Sequence, residues 1–231
     1  MTGDSDYFGR LASSGFDVYV YDEVGTGRSS RLEDPRRYTL ARDVADLEAV
    51  REKFGAERVI LIGHSYGGVL AAAYASSHPG RGARMVLSSP GDPSPSAGGA
   101  SMVYRLTTRE KLGVYALLLP PRPMLAYALL QVDPEAAHAF AHDPELDARQ
   151  DRVYNRTRPA LHSREQPPGR RLHGLGFFAN QYPQSAAKKP HADFLPGLEE
   201  TGIPTLAIKG RCDYLSWSSV RGCLTALPDA S

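Results

Sequence analysis

Val59-Ile60-Leu61-Ile62-Gly63-His64-Ser65-Tyr66-Gly67-Gly68, followed by the small-residue run Val69 to Tyr74, decides how this chain is read. Four consecutive aliphatic residues bounded by glycine predict a strand buried on both faces. The Ala-rich run after Gly68 has high helix propensity and little bulk, so the helix it predicts can pack close to a sheet. Between the two lies G-x-S-x-G, here Gly63, Ser65 and Gly67. A serine on a sharp strand-to-helix turn is held in a strained backbone conformation, and side chains two places either side would collide there. Glycine at both places is expected to remove the collision and lift the hydroxyl clear of the sheet. The helix that starts there directs its positive dipole end, and the Tyr66 amide, toward charge developing beside Ser65. G-x-S-x-G also arises by chance in long chains. The strand before it and the helix after it are the context that makes it a candidate nucleophile elbow.

The 231 residues fit one domain, or one domain with an inserted lid, and can bury a sizeable core. A formal net charge of +1 gives no electrostatic case for nucleic acid or an anionic surface as partner. Cys212 and Cys223 have no metal-ligand spacing and no further ligands nearby, so reduced thiols are expected and neither a metal nor a cofactor is. No apolar run approaches the ~20 residues needed to span a bilayer. No signal peptide is visible after Met1, whose neighbours Thr2 to Asp6 are polar, and the expected location is cytoplasmic.

Ser5 to Ser14 carries Tyr7, Phe8 and Leu11 at helical spacing, with Gly15 as a stop. Phe16 to Tyr21 reads as a strand, and Asp22 to Ser29 as a glycine-bearing turn. Gly25 and Gly27 lack the third glycine of a phosphate-cradling G-x-G-x-x-G, which makes Asp22 a structural loop carboxylate. Thr39 is placed to cap a helix running to Phe54, and His78-Pro79-Gly80 stops the helix after the elbow. Met85 to Ser88 is then a third strand, so the alternation predicts right-handed crossovers and a parallel sheet. From about Ser94 the alternation gives way to helical segments: 102–119, 123–131, 134–142 and 144–158. Asp133-Pro134 and Asp143-Pro144 each offer an N-cap with proline at the first helical position. The tract from Leu161 to Pro190 shows no pattern. The sheet resumes at Ile203 to Ile208, followed by Lys209-Gly210-Arg211-Cys212-Asp213 and a helix over 216–227. The organisation expected is a core from residues 1–93, a helical lid over 94–194, and a second core segment over 195–231.

G-H-S-Y-G-G, the Asp22–Ser29 turn and G-R-C-D-Y-L-S-W together resemble the α/β-hydrolase superfamily, in the branch holding proline iminopeptidases and related lid-bearing serine hydrolases. The resemblance covers Tyr7–Pro90 and Ile203–Ser231, and is only architectural in the lid. It implies an α/β fold: a mostly parallel sheet with helices on both faces and a helical lid insertion. It further implies Ser65 as nucleophile, Asp213 as the acid, and the Tyr66 amide as one oxyanion donor. Asp92, after the Ser88 strand, is the alternative acid. Family order places the histidine after one more strand, and the second oxyanion donor in an HGGPG-like loop ahead of the first helix. Neither is present here, so the early strands and the last strand are expected to be missing and the chain to be an internal piece of a longer hydrolase. The absent strand would leave two central edges unpaired.

His64, His78, His138, His142, His162, His173 and His191 all have structural readings, and no catalytic histidine is expected within the chain. The substrate class implied is a small ester, an amide or a short peptide. An iminopeptidase would draw on Glu110, Glu135, Glu145 or Glu165 to pair with a free amine. A carboxylesterase or lipase would draw on Leu117–Leu119, Leu125, Phe177 and Phe178. Serine at the elbow argues against dehalogenases and epoxide hydrolases, which carry aspartate there. A hydrolase fold serving only as a binding module is the reading from another class.

Overall fold

The computed structural model describes residues 5–91, 102–161, 163, 171–186, 195–215, 217–225 and 227. From the N-terminus the helices and strands are α1 (Ser5–Ala12), α2 (Leu40–Lys53), β1 (Val59–His64), α3 (Tyr66–Ser77), β2 (Gly82–Ser88), α4 (Thr108–Leu118), α5 (Pro121–Val132), α6 (Pro134–Phe140), α7 (Asp143–Leu161), α8 (Phe177–Ala186), α9 (Leu195–Glu199), β3 (Thr205–Ile208) and α10 (Trp217–Thr225). Short 3-10 turns occur at Pro35–Arg37 and Met102–Arg105. The chain forms two compact units, one of Met1–Tyr38 with Val103–Ala186, the other of Thr39–Met102 with Ala187–Ser231. Residues 1–38 thus cluster with the helical region rather than with the sheet.

The sheet-bearing unit holds three parallel strands in the order β1-β2-β3. Thr39 caps α2 by accepting from the Arg42 amide, as its position before an amphipathic run requires. The core lies where α3 meets the sheet: Leu61, Met85 and Leu87 are buried with Leu70, Ala71, Ala72, Ala73 and Tyr74. Four alanines keep α3 thin, so its axis can come close to the strands. One strand-facing glycine is dictated by that approach. A Cβ on Gly63 would overlap the Gly67 carbonyl. Gly67 itself is different, because a Cβ there would meet nothing within 4 Å among the described residues. The second close approach belongs to Gly68, where a Cβ would lie 2.9 Å from Pro90 Cβ. The expectation that both glycines of the motif relieve collision therefore holds for Gly63 only.

Two strand expectations are corrected. Phe16–Tyr21 forms no strand, and Phe16, Tyr19 and Val20 are each at least half exposed. β-propensity describes fitness for a pleated, half-buried surface, and a segment without a ladder partner gains nothing from it. β1 is buried on one face rather than two, since Ile60 and Ile62 remain 42% and 44% exposed on the side away from α3.

The helical unit has its own core, built from Tyr38, Ala126, Leu130, Ala137, Ala141, Leu146, Phe177 and Phe178. Asp133 caps α6 by accepting from the Ala136 amide (3.0 Å), and Thr107 and Glu110 form a reciprocal capping box on α4. α7 carries Asp147, Asp151 and Asn155 at successive i, i+4 positions, which places them on one face. These accept from the amides of Phe177 (2.6 Å), Gly174 and Leu175 (2.9 and 3.1 Å), and Leu172 (2.9 Å). That ladder orders 172–177 and starts α8, the helix in the tract where the sequence shows no pattern.

In the sheet-bearing unit Tyr74, fully buried, donates to Glu48 Oε2 (2.5 Å), and Arg51 grips both carboxylate oxygens of Glu48 (2.6 and 2.8 Å). Arg51, and after it Tyr74, hold the Glu48 carboxyl down to about 2. Because the folded-state value lies below the ordinary 4.5, this network stabilises fully above about pH 4.5 and is lost as pH falls toward 2. Tyr74→Phe is expected to cost about 1–3 kcal/mol at pH 7 and less near pH 2, read from urea unfolding at both pH values. Gly63→Ala should destabilise by about 1–3 kcal/mol or more, whereas Gly67→Ala should be neutral or stabilising by under ~1 kcal/mol. Equal losses in the two alanine variants would contradict the packing described.

Candidate active site

The site is assembled at the C-terminal ends of the three strands, where parallel sheets present their loops. β1 passes directly into α3 through Ser65, whose backbone sits at φ 53°, ψ −115°. A non-glycine residue at that φ is strained, and the surroundings must hold it. They do so through backbone alone: the Ser65 amide donates to the Ser88 carbonyl (3.1 Å), and the Ser65 carbonyl accepts from Gly68 and Gly91 (3.0 Å each). The hydroxyl makes no cap bond to α3. It is half-buried at the mouth of the turn.

Tyr66 opens α3, so its amide lies in the first turn of a twelve-residue helix, at the positive end of the dipole. Its phenol donates to Asp43 Oδ2 (2.6 Å) on α2. Burial raises the Asp43 carboxyl above the ordinary range, although the Tyr66 bond works in the opposite direction. This pair was not visible in the sequence, because the two residues are 23 positions apart.

Asp213 follows β3 by five residues. Its amide donates to the Gly210 carbonyl (3.1 Å), and its Oδ1 accepts from the Leu215 amide (3.0 Å). Oδ2 lies 3.1 Å from Lys209 Nζ, with both side chains more than nine-tenths buried. Burial alone would raise this carboxyl. The Ser89 hydroxyl, the Leu215 amide and the Lys209 ammonium outweigh it and hold Asp213 below its ordinary value. Ser89 is itself strained, at φ 44°, and with Ser65 it makes up the positive-φ non-glycine residues among those described. Its amide donates to the Ile208 carbonyl (2.7 Å), so it sits at the end of β2 beside the end of β3. Asp92, the alternative acid, lies outside the described residues.

The histidines of this unit are engaged elsewhere. His64 is exposed with Nδ1 3.1 Å from the Ser88 carbonyl, and His78 stacks on Tyr74 with ring centroids 4.7 Å apart. His138 of the helical unit pairs with Asp143 (2.8 Å). His162 and His191 lie outside the described residues.

Asp22 behaves as a loop carboxylate, accepting from the Arg28 amide (3.0 Å), which also holds its carboxyl below the ordinary range. The neighbouring Gly25 and Gly27 amides donate to the Ser30 and Gly174 carbonyls (2.9 and 2.7 Å). Their donors are therefore spent on protein rather than offered to a phosphate. Cys212 and Cys223 form no disulfide. Among the described residues no three His, Cys, Asp or Glu side chains are grouped to hold a metal, and no single helix is long and apolar enough to cross a membrane.

The family model described as the alpha/beta hydrolase fold matches residues 2–216. A proline iminopeptidase of Saccharolobus solfataricus is 42% identical over 77 residues, covering 32% of this chain and 25% of that protein. Epoxide hydrolase B of Mycobacterium tuberculosis is 36% identical over 76 residues, covering 33% of this chain and 21% of that protein. The chain therefore aligns with about a quarter of the length of these curated relatives. Among solved structures, a bromoperoxidase from Bacillus anthracis superposes with a TM-score of 0.58 at 21% identity, covering 100% of this chain and 78% of that one. A match running through nearly the whole chain, over a parallel sheet with a strained serine between strand and helix, leads to one conclusion: the chain belongs to the α/β-hydrolase fold family.

Proposed function

We propose that this chain carries the nucleophile and the acid of a serine hydrolase that cleaves an ester or amide through an acyl-enzyme. The observation that supports this most is the backbone of Ser65, strained at φ 53° at a strand end and backed by a glycine that tolerates no Cβ. Strain at such a turn costs on the order of 1–3 kcal/mol, and residues held in this way cluster at functional sites. In this reading Ser65 attacks the carbonyl carbon. The Tyr66 amide, at the start of α3, donates to the developing oxyanion, and Asp213 orients the histidine that accepts the serine proton. Serine in place of an elbow aspartate separates this chemistry from that of the epoxide hydrolase relative.

The general base is not one of the histidines whose bonds are described above, since His64, His78 and His138 are held by Ser88, Tyr74 and Asp143. Loss of a histidine base from such a site costs on the order of 10⁶-fold in turnover. Without a histidine in that place the chain is expected to be a very slow catalyst at best.

Within the class, the ester reading is favoured over capture of a free amine. Glu110 is committed to the capping box with Thr107, Glu135 to Arg36 (3.0 Å) and Glu145 to Arg122 (2.7 Å). Glu165 lies outside the described residues. Phe177 and Phe178 are core of the helical unit, while Leu118, Leu119 and Leu125 stay exposed as apolar surface.

Hydrolysis of p-nitrophenyl butyrate by the 231-residue chain is expected to stay near the buffer rate, and on addition of free imidazole as a surrogate base to rise above the rate that imidazole gives without protein. The rise should vanish in Ser65→Ala and shrink in Asp213→Asn, and prolyl-naphthylamide should respond less than the ester. Imidazole enhancement that survives Ser65→Ala would overturn the assignment of the nucleophile. Fast turnover without imidazole would overturn the assignment of the base.

A further inference from the structure

We propose that Lys209 is a positioning residue for the acid: its buried ammonium, tied to the turn that carries Asp213, fixes the carboxylate in orientation before any histidine reaches it. The inference rests on reading Asp213 as the triad acid, and it adds a group that the fold alone does not require.

Three contacts close a small ring. Lys209 Nζ donates to the Leu215 carbonyl (2.7 Å), the Leu215 amide donates to Asp213 Oδ1 (3.0 Å), and Nζ stands 3.1 Å from Asp213 Oδ2. The Leu215 peptide is gripped from both ends, and the carboxylate has one oxygen committed to its own turn. Trp217, the first residue of α10, has its ring centroid 5.9 Å from Nζ and walls that side. An ammonium has three N–H groups, so Nζ can serve both the Leu215 carbonyl and Oδ2, and a carboxylate oxygen keeps a second lone pair for another donor. A carboxylate oxygen that is buried, held by an adjacent cation and yet open as an acceptor is suited to an imidazole N–H.

The charge has a cost that distinguishes positioning from packing. A buried ammonium without its partner is strongly disfavoured, so Lys209 and Asp213 hold one another in the ionised state. Lys209 is the charged group facing this carboxylate among the described residues; Ser89 contributes a neutral hydroxyl, and Arg211 in the same turn is solvent-exposed. An imidazolium forming on Oδ2 would share that oxygen with a second cation. Lys209 would therefore favour the neutral, base-competent imidazole to lower pH than an acid without such a neighbour.

The test uses the full 231-residue chain and follows the Asp213 carboxyl carbon by NMR against pH, assigned with Asp213→Asn. Lys209→Met is expected to move the Asp213 midpoint upward, because burial remains and the cation is gone. Lys209→Arg is expected to move it back down. A folded Lys209→Met variant with an unmoved midpoint would overturn the proposal. Should Lys209→Met not fold, Lys209→Gln carries the test: an upward shift of the Asp213 midpoint supports the pair, and no shift overturns it. Labelling of Ser65 by a fluorophosphonate, with free imidazole supplied as the base, is read on the same samples and separates the two levels. Labelling with an unmoved Asp213 midpoint removes Lys209 from its role alone. A moved midpoint with no labelling in any variant leaves the ion pair standing and overturns the serine-hydrolase reading.

Discussion

Two amide hydrogens converge on one carbonyl oxygen, that of Ser65, and the site follows from that convergence. The Gly68 bond is the first turn of α3 closing on itself, and the Gly91 bond brings in the loop that leaves β2. Buried backbone polar groups must be paired, so these bonds over-determine the turn and allow a serine to sit at a φ it would otherwise avoid. Gly63 and Gly68 are then forced, one by the carbonyl of Gly67 and the other by Pro90. The strained serine and the small residues around it are one constraint seen from different positions in the chain.

The same logic reaches the next strand. Ser65 continues the β1–β2 ladder through Ser88, and Ser89 continues the β2–β3 ladder through Ile208. Each of the first two strands is thus followed directly by a serine with positive φ, whose amide donates to the last paired residue of the neighbouring strand. The second of these sends its hydroxyl to Asp213. Ser65 and Asp213, the proposed nucleophile and acid, are in this way referred to a common frame, the C-terminal edge of the sheet.

What was legible in the sequence was local. The elbow, the Thr39 cap, and the Asp133 cap before Pro134 follow from residue type and spacing over a few positions. The Thr107–Glu110 capping box has an equally local signature in T-x-x-E and could have been read. Phe16–Tyr21 shows the opposite case. Its composition is right for a strand, but a strand exists only in a ladder, and no residue in the segment records whether a partner is beside it. α8 was hidden because Pro183 and the glycines before it look like loop, while its start is fixed by Asp147 from 30 residues upstream. Asp213 is proposed as the acid through the family resemblance, from its place after a late strand. The lysine beside it could not be picked, because an i, i+4 relation in a turn leaves no periodic trace.

The electrostatics of the two ends of the site then differ in kind. Ser65 is served by uncharged donors: peptide amides and a helix terminus, which stabilise charge that appears only during reaction. Asp213 is served by a full charge that is present at all times. With Asp213 read as the acid, a permanent cation beside it would make the carboxylate independent of a histidine for order, and less responsive to that histidine's own charge. Preorganisation of the acid and electrostatic coupling to the base therefore trade against one another at Oδ2. In this chain the balance is set toward preorganisation, since the buried ammonium is anchored by a second bond to the Leu215 carbonyl and cannot swing away without leaving both acceptors unpaired.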